Sequence, residues 1–265
     1  NFINYLNQTL TLIFFTSFYS LIFAVIPAFL VTFCNLKFKK IIDLLLILPL
    51  SIPCYILAFT YSDILGFNGV GYDFLNTFFE FDNDILNVNW LSFFLACSLY
   101  PYIYITSRIS FSLIGSTYLN LSRSLSLSKF SIIYKVILPL SFSGVISGLI
   151  LVVMEILNEY GAVNYFGIET FSVGIFKYWF SLDNKSVSIF LSAILLIIVF
   201  FLVTLSNYFS KRDEKISYHI KSDNNYILYK NNKLNTLFYF VIFLPLFFGF
   251  IIPLFFIVKN VISNF

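Results

Sequence analysis

The chain has 265 residues, of which 59% are hydrophobic and 11% are charged, and its formal net charge is +3. A soluble domain carries roughly 25% charged residues, so this chain has too much apolar surface to hide in one soluble core. These numbers exclude a soluble enzyme, a nucleic-acid-binding domain and a secreted disulfide scaffold. Cys34, Cys54 and Cys97 lie in separate apolar stretches, which argues against a disulfide framework and a structural zinc site.

Six segments have the length and composition of transmembrane helices, because a bilayer core of about 30 Å takes about 20 apolar residues. The alternation typical of membrane β-strands is absent from the sequence, so the predicted fold class is all-α, a polytopic transmembrane helical bundle. In chain order, the predicted spans are 10–33, 41–65, 90–114, 136–156, 187–209 and 237–258. The charges inside them lie towards the ends of the spans and are Asp43, Asp63, Arg108 and Glu155.

The distribution of Lys and Arg between the spans predicts the orientation of the chain. Three such residues lie in 34–40, three in 115–135 and six in 210–236, whereas 157–186 holds two and 66–89 holds none. The first three gaps are therefore expected to face the cytoplasm, and the first residues of the chain to lie outside. We expect an earlier membrane helix to precede them.

Two prolines four residues apart, Pro49 and Pro53, lie within the second predicted span. A proline removes a backbone hydrogen bond and crowds the preceding turn of a helix. The two residues therefore predict a kink in a helix that runs over 41–65.

The cytoplasmic gap between the third and fourth spans has the pattern of a short surface helix. Ile114, Tyr118, Leu121 and Leu125 recur at spacings of 4, 3 and 4, which places them on one helical face. A Ser-x-Ser-Lys break and a second apolar run follow before the chain enters the fourth span. Such a helix either docks onto a cytoplasmic partner or rests on the membrane surface.

This gap resembles the coupling-loop motif of ABC importer permeases, Glu-Ala-Ala-x3-Gly-x9-Ile-x-Leu-Pro. Leu138 and Pro139 match the end of the motif, and Val136 is a conservative replacement for its Ile. Ser126 stands at the glycine position, where a left-handed backbone costs a serine on the order of 1 kcal/mol. The residues at the Glu-Ala-Ala positions all differ from the motif and are Asn120, Leu121 and Ser122.

Two further stretches are similar to the ferric-iron branch of these permeases, namely 48–53 in the second span and the external segment 159–180. The last stretch, 237–265, contains Leu244-Pro245 and Pro253-Leu254 and looks like the first helix of a second permease half. The resemblance divides the chain into a first half over 1–210 that lacks its initial helix, a cytoplasmic basic linker over 211–236, and that last helix.

The resemblance implies a MetI-like permease in the bacterial inner membrane that imports ferric iron. It implies no catalytic residue, metal or cofactor in this chain, because ATP and Mg²⁺ would bind a dimer of cytoplasmic ABC ATPase subunits. Leu121 and Leu125 would form the apolar face that docks onto this dimer. The other implied partners are a periplasmic substrate-binding protein, a second permease half and the lipid bilayer, but no nucleic acid. Permeases for thiamine, sulfate, polyamines or phosphonate share the architecture, and a secondary transporter is the alternative from another class.

Two acidic residues near the outer end of the fourth span, Glu155 and Glu159, are candidates for the translocation path. They lie four residues apart and share a face if the helix continues. Carboxylates suit a hard cation such as Fe³⁺, and an acid in a membrane helix is a functional-site hypothesis by default. Gly161, Phe166 and Gly167 belong to the same candidate path. Alternatively, Glu155 bonds a neighbouring helix and Glu159 caps the turn before Gly161.

Overall fold

The computed structural model describes residues 2–66, 69–78, 85–114, 116–217 and 235–263. Within these ranges the regular elements are helices, which confirms the predicted all-α class. Five of the helices described are long and apolar enough to cross a membrane, and one bent helix pair makes a sixth span if it is counted as one. The six spans predicted from the sequence therefore correspond to five continuous spans and one broken span.

The helices of the described residues are numbered in chain order. They are α1 (Phe2–Phe33), α2 (Lys39–Leu45), α3 (Cys54–Leu65), α4 (Val70–Phe78), α5 (Val88–Leu113), α6 (Ser116–Ser124), α7 (Lys129–Ile132), α8 (Leu138–Asn158), α9 (Gly161–Tyr165), α10 (Phe171–Phe176), α11 (Lys185–Ser217), α12 (Asn235–Leu246) and α13 (Ile252–Ser263). Tighter or wider helical turns continue several of them, namely a 3-10 turn over Leu48–Ser51 and π-helical turns over Ile133–Ile137, Lys177–Ser181 and Phe247–Ile251.

Helix α5 lies at the centre of the bundle and is the most deeply buried of the spans. It runs alongside α1, with the Tyr19 and Phe93 rings 5.9 Å apart in one half of the pair and the Phe33 and Phe111 rings 5.9 Å apart in the other. The Tyr100 side chain on α5 is fully buried. Because its surface is covered on most sides, a movement of α5 must be shared by its neighbours.

Small residues allow α8 to approach α5 closely. A Cβ atom on Gly148 would lie 2.7 Å from the Ile103 Cα atom, and one on Gly144 would lie 2.5 Å from the Ser110 Cβ atom. Glycines four residues apart on one face are the usual means by which membrane helices pack this closely. The helix that enters the loop over 114–137, α5, and the helix that leaves it, α8, are therefore tightly joined.

The second span is broken, so the prediction of a single kinked helix over 41–65 is wrong. Its two helical pieces meet at 84°. Ile52 is extended (φ −98°, ψ 115°), as residues before a proline prefer to be, and Pro53 caps the start of α3. Pro49 lies in the 3-10 turn before the break. The two prolines bend the span as predicted, but they separate it into two helices.

The C-terminal part of the structure corrects the predicted linker. Helix α11 continues to Ser217, so the first residues of the linker predicted over 211–236 are helical, because the lysine, arginine and glutamate there are good helix formers. The remainder of that linker, 218–234, lies outside the described residues. The last span packs on the bundle at Gly249, where a Cβ atom would lie 2.3 Å from the Cys97 carbonyl oxygen.

Candidate functional site

The loop between α5 and α8 forms two short helices joined by a left-handed turn. Ser126 has a φ of 56°, which confirms the left-handed backbone expected at the glycine position of the motif. The Leu127 N–H donates to the Ser122 carbonyl oxygen at 3.2 Å, so the turn closes α6 as a Schellman motif. The Ser128 hydroxyl then accepts a hydrogen bond from the Ser131 N–H at 3.3 Å and caps α7.

Helix α6 turns one face to the protein and the opposite one away from it. Leu119 is fully buried and Ser122 is nearly so, which makes these residues the inner face. Leu121 is 58% exposed and Leu125 is 74% exposed. The two leucines predicted to dock onto a partner are therefore available for contact, whereas Ser122, which was placed in the same motif, is not.

Two aromatic residues enlarge this exposed surface and were missed by the sequence analysis. Phe130 is 77% exposed and Tyr134 is 67% exposed, on the segment that follows the left-handed turn. Their spacing of four residues places them on one helical face and was the available signal. We call Leu121, Leu125, Phe130 and Tyr134 together the loop surface.

The remaining residues of the motif lie around the start of α8. Asn120 is exposed on α6, and Val136 is half-buried in the π-helical turn over Ile133–Ile137. Leu138 and Pro139 are exposed and begin α8. Because proline has no N–H to donate and its ring crowds the turn before it, Pro139 favours the wider turn that precedes it.

Glu155 lies one turn from the outer end of α8 and is exposed. Its Oε1 atom accepts a hydrogen bond from the Tyr102 hydroxyl of α5 at 3.2 Å, as the alternative to a path residue predicted. The carboxylate also borders a cavity of about 560 Å³ between α8 and α11, where Asn158 and Ser192 are further polar lining residues. Glu155 thus combines a bond to a neighbouring helix with an open, partly polar space.

Glu159 does not share a helical face with Glu155, because α8 ends at Asn158 and Glu159 is extended (φ −72°, ψ 116°). The condition for a shared face, a helix that continues through Glu159, is therefore not met. The Glu159 Oε1 atom accepts a hydrogen bond from the Ala162 N–H at 2.9 Å and caps α9, close to the role of the alternative prediction.

The other candidate path residues lie in α9 or directly after it. Gly161 packs against α3, since a Cβ atom there would lie 3.1 Å from the Tyr55 Cβ atom. Phe166 is buried in the core beside Phe94, and its assignment to the path stays a prediction. Gly167 is exposed, with a φ of 68° that favours glycine. Over the ranges described, no group of three or more His, Cys, Asp and Glu side chains comes together to hold a metal ion.

A charged network between α2 and α5 was not predicted. The Arg108 guanidinium donates to the Asp43 carboxylate through Nε at 3.1 Å and Nη2 at 3.3 Å. The Tyr104 hydroxyl donates to the same carboxylate, and Arg108 Nη1 donates to the Thr32 hydroxyl of α1 at 3.3 Å. The signal in the sequence was a pair of opposite charges near the cytoplasmic ends of two predicted spans.

The two basic residues of the gap 157–186 each have an acidic neighbour. Lys177 Nζ lies 2.9 Å from Glu169 Oε1, and this hydrogen bond raises the pKa of Lys177. Lys185 Nζ lies 3.9 Å from Asp183 Oδ1. The positive charges of Lys177 and Lys185 are therefore each accompanied by a nearby carboxylate.

The sequence of this chain is similar to one protein family and to transport permeases of two bacteria. The family model described as "Binding-protein-dependent transport system inner membrane component" matches residues 20–213. The chain is 26% identical over 215 residues to the sulfate transport system permease protein CysT of Salmonella typhimurium. This match covers 77% of this chain and 76% of that protein. It is also 26% identical over 223 residues to the molybdenum transport system permease protein ModB of Haemophilus influenzae. That match covers 80% of this chain and 95% of the relative.

Proposed function

The chain belongs to the family of binding-protein-dependent transport system inner membrane components, and we propose that it is the permease through which an ATP-driven importer moves its cargo into the cytoplasm. Family membership and the apolar spans confirm the predicted multi-pass location in the inner membrane. The chain is a transporter subunit and not an enzyme, so the proposed source of energy is a separate pair of ABC ATPase subunits that bind ATP and Mg²⁺.

The loop surface is the observation that carries this proposal. Its four side chains are large, apolar and exposed, and they lie on the side that the Lys and Arg distribution assigns to the cytoplasm. Exposed apolar surface of this kind marks sites of protein or membrane interaction, and the interaction proposed here is with an ATPase subunit. An ATPase subunit that covers Leu121, Leu125, Phe130 and Tyr134 would remove them from water.

The packing of the bundle gives the loop a mechanical connection to the membrane spans. The loop is attached to α5 on one side and to α8 on the other, and Gly144 and Gly148 hold these helices in close contact. When the ATPase subunits close on ATP, a displaced loop would therefore carry both spans with it. Such movements between two arrangements of packed helices open a transport path to one side at a time.

The variant Leu121→Asp tests this coupling role. A carboxylate placed on the loop surface would have to lose its water in the ATPase interface, which is unfavourable unless it is paired. We expect membrane insertion to be retained while stimulation of ATP hydrolysis and transport are lost, measured on the complex in proteoliposomes. Leu182, which is 54% exposed on the other side, serves as the matched control in Leu182→Asp. Normal coupled transport by Leu121→Asp would refute the proposed role of the loop.

For the cargo, we propose ferric iron delivered by a periplasmic binding protein. The support is the resemblance of the segment 159–180 to ferric-iron permeases, together with the exposed carboxylate of Glu155. A hard cation prefers oxygen ligands, and one weakly placed carboxylate attracts it without retaining it. The second permease half that would complete the path is likewise a proposal, and the last span, 235–263, is its proposed first helix.

An oxyanion is the second candidate cargo, because the two relatives are named for sulfate and molybdenum transport. The charges described on the outer side favour it less. Lys177 and Lys185 each have an acidic neighbour, and Glu155 would repel an anion. Backbone and hydroxyl donors would then have to bind the anion in transit.

Uptake into proteoliposomes distinguishes these cargoes. The reconstituted complex would be supplied with radiolabelled ferric citrate, sulfate or molybdate, each with the binding protein that carries it, and with ATP inside the vesicles. Iron uptake that depends on ATP supports the first candidate. Uptake of sulfate or molybdate without iron would replace it with the second, and the proposed importer function would stand in either case.

A further inference from the structure

Two opposite charges lie partly buried between α2 and α5, close to the point where α5 enters the loop before α8. Arg108 precedes the last residue of α5, Leu113, by five positions, and the loop helix α6 begins at Ser116. At a rise of 1.5 Å per residue, Arg108 lies about 8 Å along the helix from that end. Its partner Asp43 lies on α2, a helix of seven residues that forms the cytoplasmic half of the broken span.

An ion pair is a costly means of holding two membrane helices together. Well-packed apolar side chains of similar volume stabilise as well or better, since neither charge then has to be removed from water. Helix α2 already has such contacts, because Ile42 lies in the core and Leu46 at its end is fully buried. Ionisable residues within membrane spans are functional-site hypotheses by default, and this pair is therefore a candidate for more than anchoring.

The break in the second span separates α2 from α3. The extended residue Ile52 and Pro53 interrupt the helical hydrogen bonds between α2 and α3. Meanwhile Arg108 and Tyr104 both hold the Asp43 carboxylate from α5. Helix α2 is thus bound to α5 by directed hydrogen bonds, whereas its helical hydrogen bonding is interrupted before α3.

We propose that the Asp43–Arg108 pair transmits the displacement of the cytoplasmic loop from α5 to α2, and thereby moves the cytoplasmic half of the broken span during transport. Asp43 and Arg108 are positioning residues in this scheme, because neither contacts the cargo. The inference rests on the proposed permease function, and it adds the internal contact by which ATP-driven movement reaches the second span.

The test measures transport per ATP hydrolysed by the reconstituted complex of permease, ATPase subunits and loaded binding protein. Asp43→Asn removes the charge with little change in shape, and Arg108→Lys retains the charge but loses the two-pronged geometry. We expect both variants to retain most of their ATP hydrolysis while transport per ATP falls about tenfold, within the range typical of coupling between sites. The exchange variant Asp43→Arg with Arg108→Asp is expected to recover part of the lost ratio.

The exposed pair Asp183–Lys185 provides the matched control, and Asp183→Asn is expected to leave the ratio unchanged. If Asp43→Asn and Arg108→Lys lower hydrolysis and transport in parallel, or lower only the amount of folded protein, the pair is an anchor and the proposal is overturned. An unchanged ratio in both variants overturns it as well. If the wild-type complex transports none of the three cargoes, the proposed function itself fails, and that result is distinct from a failure confined to the variants.

Discussion

At the scale of single residues, the carboxylate of Glu155 has two neighbours with different implications. The hydroxyl of Tyr102 donates one hydrogen bond, which orients the carboxylate. The cavity between α8 and α11 leaves the side chain open on the other side. An ionised group in this position attracts a cation and repels an anion, so the sign of its effect on transport depends on the cargo.

Transport by the variant Glu155→Gln measures how the effect of this charge depends on the cargo. If the cargo is ferric iron, its initial uptake rate should fall about tenfold, the ratio that corresponds to about 1.4 kcal/mol of lost attraction. If the cargo is an oxyanion, uptake should stay the same or rise. Tyr102→Phe serves as the control, because it removes the hydrogen bond and keeps the charge, and it should have the smaller effect. Iron uptake at the wild-type rate in Glu155→Gln would end the assignment of Glu155 to the path.

At the scale of helices, the contact between α5 and α8 determines whether the loop moves both spans together. Gly148→Val would place a side chain where even a Cβ atom lies 2.7 Å from the Ile103 Cα atom, and a backbone atom cannot move aside cheaply. We expect destabilisation of about 1–3 kcal/mol, seen as a lower unfolding temperature in detergent, and weaker stimulation of ATP hydrolysis. Leu151→Val, on the same helix at a partly exposed position, should change neither. Wild-type stability in Gly148→Val would show that the two helices need not be this close.

The elements also show what a sequence can and cannot reveal. The membrane spans and the left-handed turn at Ser126 were predictable, because hydropathy and the alignment of a short motif are local signals. The break of the second span was only half predicted, since two prolines indicate a bend but the 84° angle depends on how the pieces pack. The pairing of Asp43 with Arg108 joins residues 65 positions apart, and only tertiary structure selects that partner for either charge.

Across the bundle as a whole, the candidate functional surfaces lie towards two ends of the apolar spans. One end carries the loop surface, and the other carries Glu155 and the external segment with Lys177 and its neighbour Glu169. The distribution of Lys and Arg assigns the first end to the cytoplasm. This arrangement is what an importer requires, with the energy source bound inside and the cargo delivered outside.

Thiol labelling of intact membranes checks this orientation. The native thiols interfere little, since Cys34 and Cys97 are fully buried and burial raises the pKa of Cys34 to about 11, which leaves its reactive thiolate scarce at neutral pH. In a background with Cys54→Ser, an impermeant maleimide should label Ser181→Cys on spheroplasts. It should label Ser124→Cys, an exposed position of α6, only on inside-out vesicles. Because both positions are exposed, the opposite labelling pattern would invert the topology and remove the loop surface from the reach of any cytoplasmic ATPase.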